Sequence, residues 1–523
     1  MPSQLVKRSD GAQFAERITL LSPRRRTTLL AGTAFTGAFV AAMMGSPQRA
    51  LAACAGDPGP LVTCDFTNPS GGTLSTTFGG TTVVNDNAGG NINTGGATVV
   101  VTAAGSLTFN NNDTTFGIRN NALNGVDLTN NFGAITYVGN ANVTATNVAV
   151  SGINVSAGAA GDVSITNNAT VTGGAYGIIV SHAGTGAVLV TGTGTATGGT
   201  FGIWAQNTGL GPAAGANGIV ITGSGNAASS GGTGIFGFIS NAAKASNILI
   251  DRAGTVSGDA GIAAETFGTG NITVTGASLV TSTAGTGIDA VQQNNVAGTK
   301  GSVTVGGTGN VNAVGIGIDA EVGQPNNTGS VVVNRTGTVT STGTGIFARA
   351  LGGGDVTVTG VGNVSAAGNN GIQAAAFGNG NVVVAPAGTV FGFFSGIDAS
   401  AQGSGNVTVT TSQDVTGPQG GGIVANVVDG RITVTVTAGT VKSISPGFLV
   451  AGITATASGT GGATITVNAG ASVIAEQFTG MVVTGTNNII TNNGTIRGAG
   501  GIQASGPTTI VNAGAITGPS EQP

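Results

Sequence analysis

Charged, aromatic and histidine side chains are scarce in this sequence, and their scarcity disfavours several functions. Charged residues make up 7% of the 523 residues, aromatic residues make up 4%, and His182 is the one histidine. One imidazole supplies neither a multi-histidine metal site nor, without a recognisable nucleophile motif, a catalytic triad. No glycine-rich stretch is followed by the Gly-Lys-Ser/Thr of a phosphate-binding loop. We therefore predict no metal, no cofactor and no enzymatic activity, and we interpret His182 as a loop residue.

The balance of charge also disfavours nucleic-acid binding. The first 52 residues contain seven of the 16 Lys and Arg residues but two of the 20 Asp and Glu residues, so the remainder carries nine basic and 18 acidic side chains. Proteins that bind nucleic-acid backbones use clustered Lys and Arg to neutralise phosphate. A thinly charged, acidic surface is a poor partner for such a backbone.

Long hydrophobic runs are limited to the N-terminus, where residues 1–52 have the pattern of a signal peptide. A basic segment that includes Arg24–Arg26 precedes an apolar stretch at 27–44, and Ala50–Ala52 forms a small-residue cleavage site before Ala53. Because no later stretch is comparably apolar and uninterrupted, cleavage is favoured over a membrane anchor. The three arginines also match a twin-arginine export signal in part.

Cysteine is nearly absent, and the two that occur, Cys54 and Cys64, follow the expected cleavage site. In an exported chain, such a pair predicts a disulfide that closes a short loop. The alternative is that Leu51–Cys54 is a lipoprotein cleavage box, with Cys54 acylated. The disulfide is favoured because Arg49 and other non-apolar residues separate this box from the apolar stretch, and because Cys64 offers a partner.

Glycine, in contrast, is abundant, with 97 residues, and it belongs to a repeat that contains three landmarks. The first is a Gly-Ile pair whose isoleucine returns every 25 to 32 residues, at Ile153, Ile178, Ile203, Ile235, Ile262, Ile288, Ile318, Ile346, Ile372, Ile397, Ile423 and Ile453. Weaker copies occur at Ile118, Met481 and Ile502. The second is a segment in which Val or Ile alternates with another residue, most often as Val-x-Val, beginning at Val163, Ile272, Val303, Val356, Val407 and Ile432. The third is a shorter element, marked by Val256, Val311, Val339, Val364, Val390 and Val441.

Three strand-like pieces in about 26 residues predict one coil of a three-sided, right-handed parallel β-helix. Alternate side chains would fill the interior, glycine would allow the corners, and successive coils would pair at about 4.8 Å. We expect an all-β fold with an N-terminal cap at 53–110, about fifteen coils at 111–518 and a tail at 519–523. Helices are disfavoured by the composition, and a β-sandwich is a distant second choice.

This sequence resembles the passenger region of autotransporters, the type V secreted proteins of Gram-negative bacteria. The repeats, the long basic signal and the asparagine- and glycine-rich segment at 487–518 carry the resemblance. It implies export and then display at the outer membrane and cell surface, or release. The amphipathic strands of a translocator barrel do not follow the last repeat. Three expectations therefore stay open: a fragment of a larger autotransporter, a truncated gene product, or a barrel that acts in trans. A two-partner secretion route is less favoured because Asn68–Gly71 matches its signature only faintly.

Two sets of outward residues are candidate sites. Ile179, Trp204 and Phe236 each follow a landmark isoleucine in three consecutive coils, which predicts an apolar stripe for a surface-protein or carbohydrate ligand. The competing interpretation is that the insertion at 207–218 folds over this stripe. Phe267, like Phe377, is expected to fill a corner of its coil.

Asp289 and Asp319 occupy the same outward position in adjacent coils, with Asp398 three coils further on. A carboxylate pair is what glycoside hydrolysis requires. No histidine or arginine shares their coil position, so solvated polar residues are the favoured interpretation. We therefore expect a non-catalytic, adhesin-like binding scaffold or spacer; the alternative is a β-helical polysaccharide lyase or hydrolase that uses this pair.

Overall fold

Alternating Val, Ile and Thr residues place every other side chain on one face of a strand. The computed structural model describes residues 54–55, 61–64, 75–78, 82–86, 92–94, 99–103, 105–112, 114, 117–158, 160–444 and 450–518. Within these residues, strands joined by turns form coils that stack on one another, so that three parallel sheets run along the stack. None of these residues forms a helix suited to crossing a membrane. The expected signal peptide and tail lie outside the described residues.

Each sheet collects one of the three landmarks, and we name the sheets accordingly. The Gly-Ile sheet contains Ser75–Phe78, Val99–Ala103, Val126–Asn130, Ser151–Ala157, Tyr176–His182, Phe201–Asn207, Thr233–Ile239, Ala260–Thr266, Ile288–Gln292, Ile318–Val322, Ile346–Ala350, Ile372–Ala376, Ser395–Ala401, Gly421–Val427, Ile453–Ala457, Met481–Thr484 and Ile502–Ser505. The Val-x-Val sheet contains Cys54–Ala55, Leu61–Cys64, Thr82–Asp86, Leu107–Asn111, Ile135–Gly139, Val163–Asn167, Val188–Thr191, Asn217–Gly223, Asn247–Arg252, Ile272–Gly276, Val303–Val305, Val331–Val333, Val356–Thr359, Val382–Ala385, Val407–Thr411, Ile432–Val436, Ala463–Val467, Asn488–Asn492 and Thr508–Asn512. The short-strand sheet contains Ile92–Thr94, Ile118–Asn120, Val143–Ala145, Val171–Thr172, Ala196–Gly198, Ala227–Ser229, Thr255–Gly258, Leu279–Ser282, Asn310–Ala313, Val339–Ser341, Val364–Ala366, Val390–Gly392, Val415–Thr416, Thr440–Ser443, Ser472–Ala475, Thr495–Arg497 and Ala515–Thr517.

The strand register confirms the predicted repeat. Every landmark isoleucine from Ile153 to Ile453 pairs in parallel with the isoleucine of the next coil, so these residues form one column along the stack. The column continues through Met481 to Ile502. All twelve landmark isoleucines are fully buried, as a shared interior requires. The chain is therefore a three-sheet parallel β-solenoid of about fifteen coils with a spacing of about 26 residues.

The assignment of Ile118 to the Gly-Ile landmark was wrong. In addition, the stacked coils extend further towards the N-terminus than the repeats suggested. Ile118 begins a strand of the short-strand sheet, where it pairs with Val143, and the true partner of Ile153 is Val126. A Gly-Ile pair suits any corner that leads into a buried strand, so it does not by itself identify the sheet. Parallel pairing also occurs inside the segment assigned to a cap, since Leu61 pairs with Val83. The cap itself remains a prediction.

The glycine of the landmark is required by the closeness of neighbouring coils. A Cβ atom placed on Gly202 would lie 2.6 Å from the carbonyl oxygen of Gly234, nearer than real Cβ atoms approach other atoms. Any side chain at this corner would therefore push two coils apart. The isoleucine that follows can then enter the interior at the start of its strand.

A ladder of polar side chains runs along the corner that precedes the Val-x-Val sheet. In each step, a side-chain oxygen accepts a hydrogen bond from the backbone N–H of the equivalent residue one coil later, at 2.7 to 3.2 Å. The members in order are Asn247, Asn271, Ser302, Ser330, Asp355, Asn381, Asn406 and, as the final donor, Arg431. Corner N–H groups outside the sheet ladder are thereby satisfied.

Two arginines lie inside the stack without a carboxylate partner among the described residues. The guanidinium of Arg252, which is 1% exposed, donates to the carbonyl oxygens of Gly194, Thr222 and Gly225. The fully buried Arg335 makes an equivalent cage with carbonyls of the two preceding coils. Burial lowers the pKa of each to about 10, so both remain charged at neutral pH.

Candidate functional site

The outward face of the Gly-Ile sheet contains both candidate sites. Ile179 pairs with Trp204 and Trp204 with Phe236, so the predicted stripe lies in register over three consecutive coils. All three side chains are half-buried. The placement of the stripe is confirmed, while its role in binding remains a prediction.

The stripe belongs to a larger aromatic ladder, which comprises Tyr176, Phe201, Trp204, Phe236, Phe238 and Phe267. Tyr176 stacks on Phe201 at 5.7 Å with 3° between the ring planes, and Phe201 stacks on Phe236 at 5.8 Å and 17°. Trp204 lies tilted against Phe201, with ring centroids 5.1 Å apart. The rings therefore cover much of one another's faces. A partner would meet mainly ring edges.

Sequence reasoning missed Tyr176, Phe201 and Phe238, although a signal was present. Tyr176 and Phe201 each stand two residues before a landmark isoleucine, and Phe238 stands two residues after Phe236 on the same strand face. Phe267 was expected to fill a corner. It is half-buried, follows Thr266 directly and packs edge-on against Phe238 at 6.1 Å.

The insertion at 207–218 is bound at the corner that follows the Gly-Ile sheet. The amide of Gly211 donates to the Gly184 oxygen at 3.3 Å, and the amide of Gly215 donates to the Ala245 oxygen at 3.0 Å. Asn247 also binds this segment, because its side-chain amide donates to the Gly215 oxygen at 2.8 Å. These bonds hold the insertion to loops of the coils before and after it.

Acidic side chains adjoin the aromatic ladder on the same face. Asp289 and Asp319 are register partners in adjacent coils, as predicted, and Glu321 lies two residues further along the second strand. The Glu321 carboxylate accepts a hydrogen bond from the Arg349 guanidinium at 2.6 Å, and that guanidinium also lies 5.2 Å from the centre of the Phe347 ring. Sequence reasoning missed this ion pair, although its spacing is visible in the sequence. Glu321 lies two residues after Asp319, and Arg349 lies two residues after Phe347, the register partner of Asp319.

Burial raises the pKa of three carboxyl groups on this face, those of Asp127, Glu321 and Asp398. For Glu321, the Arg349 charge and hydrogen bond oppose this effect, whereas the nearby charge of Asp289 adds to it. For Asp398, burial raises the pKa to about 6, against a hydrogen bond from Asn370. A shifted carboxyl is suited to proton transfer, but shifts also arise in purely structural positions. Within the described residues, no three His, Cys, Asp or Glu side chains form a metal-binding group.

The interpretation of His182 as a loop residue was wrong. It ends the strand Tyr176–His182 and is fully buried, in register with Asn207 of the next coil. Its Nε2 lies 2.7 Å from the Gly161 oxygen, and its Nδ1 accepts a hydrogen bond from the Gly184 amide at 3.2 Å. Because an amide N–H only donates, the imidazole is the neutral tautomer protonated at Nε2.

The two cysteines lie in the first described strands. Cys54 is directly opposite Cys64 in an antiparallel pair. Facing residues in such a pair have Cα atoms about 4.5–5.5 Å apart, within the span of a disulfide. The backbone is therefore compatible with the predicted bond. A search of family models, curated proteins and solved structures finds no match to this chain.

Proposed function

We propose that this chain is an exported β-helical passenger, displayed at the cell surface or secreted, that serves as an adhesin-like binding scaffold or spacer and not as an enzyme. The observation that carries the proposal is the unbroken register of the landmark isoleucines. Coils in continuous register place outward side chains at fixed intervals along an extended surface. The basic and apolar sequence of residues 1–52 supports export.

Export is tested with the full 523-residue chain expressed in a Gram-negative host. We expect mature protein that begins at Ala53, located outside the inner membrane, because Ala50–Ala52 fits the cleavage pocket of a signal peptidase. An Ala52→Arg variant should retain the precursor, and a conservative Ala53→Ser change should leave processing unaltered. Unprocessed chain in the cytosol, beginning at Met1, would contradict the proposal.

The binding role is tested with the purified β-solenoid, called the rod below, on arrays of carbohydrates and of surface proteins. We propose the aromatic ladder as the contact, because aromatic edges and faces are frequent anchors of interfaces. Trp204→Ala should reduce retained binding at least tenfold, while Phe391→Ala, which removes a 36% exposed ring from the short-strand sheet, should not. Equal loss in both variants would argue against a localised site and in favour of a spacer.

The register of the aspartates favours one second candidate, a polysaccharide lyase or hydrolase. Strands in neighbouring coils are about 4.8 Å apart, close to the carboxyl separation of about 5–5.5 Å used by retaining glycosidases. Asp289 and Asp319 would then be the reacting pair. If the rod cleaves a polysaccharide and Asp289→Asn abolishes cleavage while Asp429→Asn does not, the scaffold proposal fails. Asp429 is the matched control because it is exposed and lies in a turn.

A further inference from the structure

A lysine lies buried beneath the insertion at 207–218. Lys244 is fully buried, and its Nζ has no hydrogen-bond partner among the described residues. Its side chain passes under two glycines of the insertion: a Cβ atom on Gly211 would collide with the Lys244 side chain, and one on Gly218 would lie 3.0 Å from its Cε. The lysine therefore occupies space that only glycine leaves free.

Two further polar atoms in this corner are buried and unpartnered among the described residues, namely Asn207 Oδ1 and Ser246 Oγ. The Asn207 amide donates to the Gly218 oxygen at 3.3 Å, and Ser246 Oγ would collide with a Cβ atom on Gly218. Neither group supplies a negative charge. An ammonium at Lys244 would therefore be held in this corner without a counter-ion, which is costly.

Few charged groups face this corner. The insertion at 207–218 contains no titratable side chain, and neither does the adjoining segment 267–271. The nearby titratable groups are His182 in the coil below, Asp162 beyond it, and Lys300, which borders the shallow concavity beside Gly215. The charge of Asp162 raises the pKa of the His182 imidazole, and the charge of Lys244 lowers it. Protonation of His182 at Nδ1 would also place a proton against the Gly184 amide, which now donates to that nitrogen. Both buried bases are thus accommodated in their neutral forms.

We propose that this corner is a proton-controlled latch, in which protonation of Lys244, reinforced by His182, releases the insertion at 207–218 from the rod. The inference goes beyond the proposed scaffold function. The part of the insertion between its two strands, residues 208–216, is suited to local release because isolated hydrogen bonds at Thr208, Gly211, Gly215 and Ala216 attach it to neighbouring coils. The flanking strands, in contrast, are paired along their length on both sides. A shallow concavity bordered by Gly215, Ala245, Asn247 and Lys300 lies beside this corner, so the insertion faces solvent on that side.

The direction of the pH effect follows from linkage. Burial lowers the pKa of Lys244 from 10.5 to about 7, so the open form binds more protons than the closed form between these values. The latch therefore tightens as pH rises from about 7 towards 10.5, and the contribution of Lys244 is constant below about 7. Burial and the Lys244 charge lower the pKa of His182 below 6.5, against its hydrogen bond to Gly161, so further loosening begins below pH 6.5.

The experiment is amide hydrogen exchange on the folded rod, followed by mass spectrometry and corrected at each pH for intrinsic exchange. Peptides covering 207–218 should lose about tenfold in protection per pH unit on descending from pH 9.5 to 7.5, the slope for one proton. The strand Ile372–Ala376 is the internal reference and should show no slope. Lys244→Met and Lys244→Gln should flatten the slope at 207–218, whereas Lys442→Met, which removes a half-exposed lysine from the distant strand Thr440–Ser443, should leave it intact.

Two results would overturn the latch. One is equal pH dependence at 207–218 and Ile372–Ala376 in the unaltered rod, a comparison that needs no variant to fold. The other is a wild-type slope in a folded Lys244→Met or Lys244→Gln protein. A His182→Asn variant isolates the contribution of His182 to the pH dependence. We expect this variant to fold because asparagine, Asn207, stands at the equivalent position of the next coil. It should remove the additional loosening below pH 6.5 and keep the slope above pH 7.

Discussion

Replacement of Arg335 by methionine should weaken the middle of the rod more than any loss of a surface charge. The guanidinium donates to the carbonyl oxygens of Gly276, Ala277, Gly306 and Gly309 at 2.7 to 3.1 Å. Methionine fills a similar volume but leaves these acceptors without their donor. In a buried ion pair, both side chains can be replaced together by apolar ones, but here the acceptors are backbone carbonyls, which no mutation removes.

The magnitude follows from the balance of two terms. Each buried acceptor left unsatisfied costs about 1–3 kcal/mol, and relief from burying a charge offsets part of the sum. We expect a net loss of about 3–5 kcal/mol, the range found when one partner of a buried charged network is removed. The effect should be local, because coils in a repeat array contact only their neighbours.

Hydrogen exchange measures this loss directly as the opening free energy of the strands Ile272–Gly276 and Val303–Val305. Global denaturation is less informative because a long array need not unfold in one step. The matched control is Arg431→Met, since Arg431 is exposed and that change should alter stability by less than about 0.5 kcal/mol. An Arg335→Met protein whose opening free energies stay within about 0.5 kcal/mol of wild type would refute the reasoning.

Three other predictions follow from single positions. Burial raises the pKa of Asp398 from 3.8 to about 6, so the folded coil loses stability as pH rises from about 4 to about 6. Asp398→Asn should therefore stabilise the coil by about 3 kcal/mol above pH 7 and have no effect below pH 4, measured by hydrogen exchange in each range. Gly202→Ala should lower the opening free energy of the strand Phe201–Asn207, measured by hydrogen exchange, by about 1–3 kcal/mol, because its Cβ would meet the Gly234 oxygen; an unchanged opening free energy would contradict the close approach. The intact mass of the mature chain should be lower by two hydrogens than that of the reduced chain and revert on reduction, and a mass gain from acyl groups on Cys54 would instead indicate a lipoprotein.

The sequence predicted the interior of the rod well because the interior is periodic. A column such as Ile288, Ile318 and Ile346 needs an apolar side chain at every coil, so its spacing is visible without coordinates. Ile118 shows the limit of this approach, because the same dipeptide also suits a different corner. The strand that it begins became clear only from its pairing with Val143.

The candidate sites were predicted less completely, for a reason that depends on residue type. The outward stripe was visible because each member follows a landmark isoleucine, whereas Tyr176 lies outside that offset and was missed. Lys244 and Arg335 look like solvated surface charges in the sequence, since lysine and arginine are seldom fully buried. Their burial depends on carbonyl cages and glycine niches supplied by other coils, which no local pattern encodes.

The polar ladder along the corner has a consequence for how such a protein changes length. Because Asn381 offers its side-chain oxygen to the amide of Asn406, as Asp355 does to Asn381, one coil can succeed another with the same chemistry at the joint. Excision or duplication of a whole coil, as from Ile372 to Ile397, rejoins compatible surfaces, whereas removal of half a coil does not. Unequal recombination within the gene can therefore yield shorter or longer products that still fold.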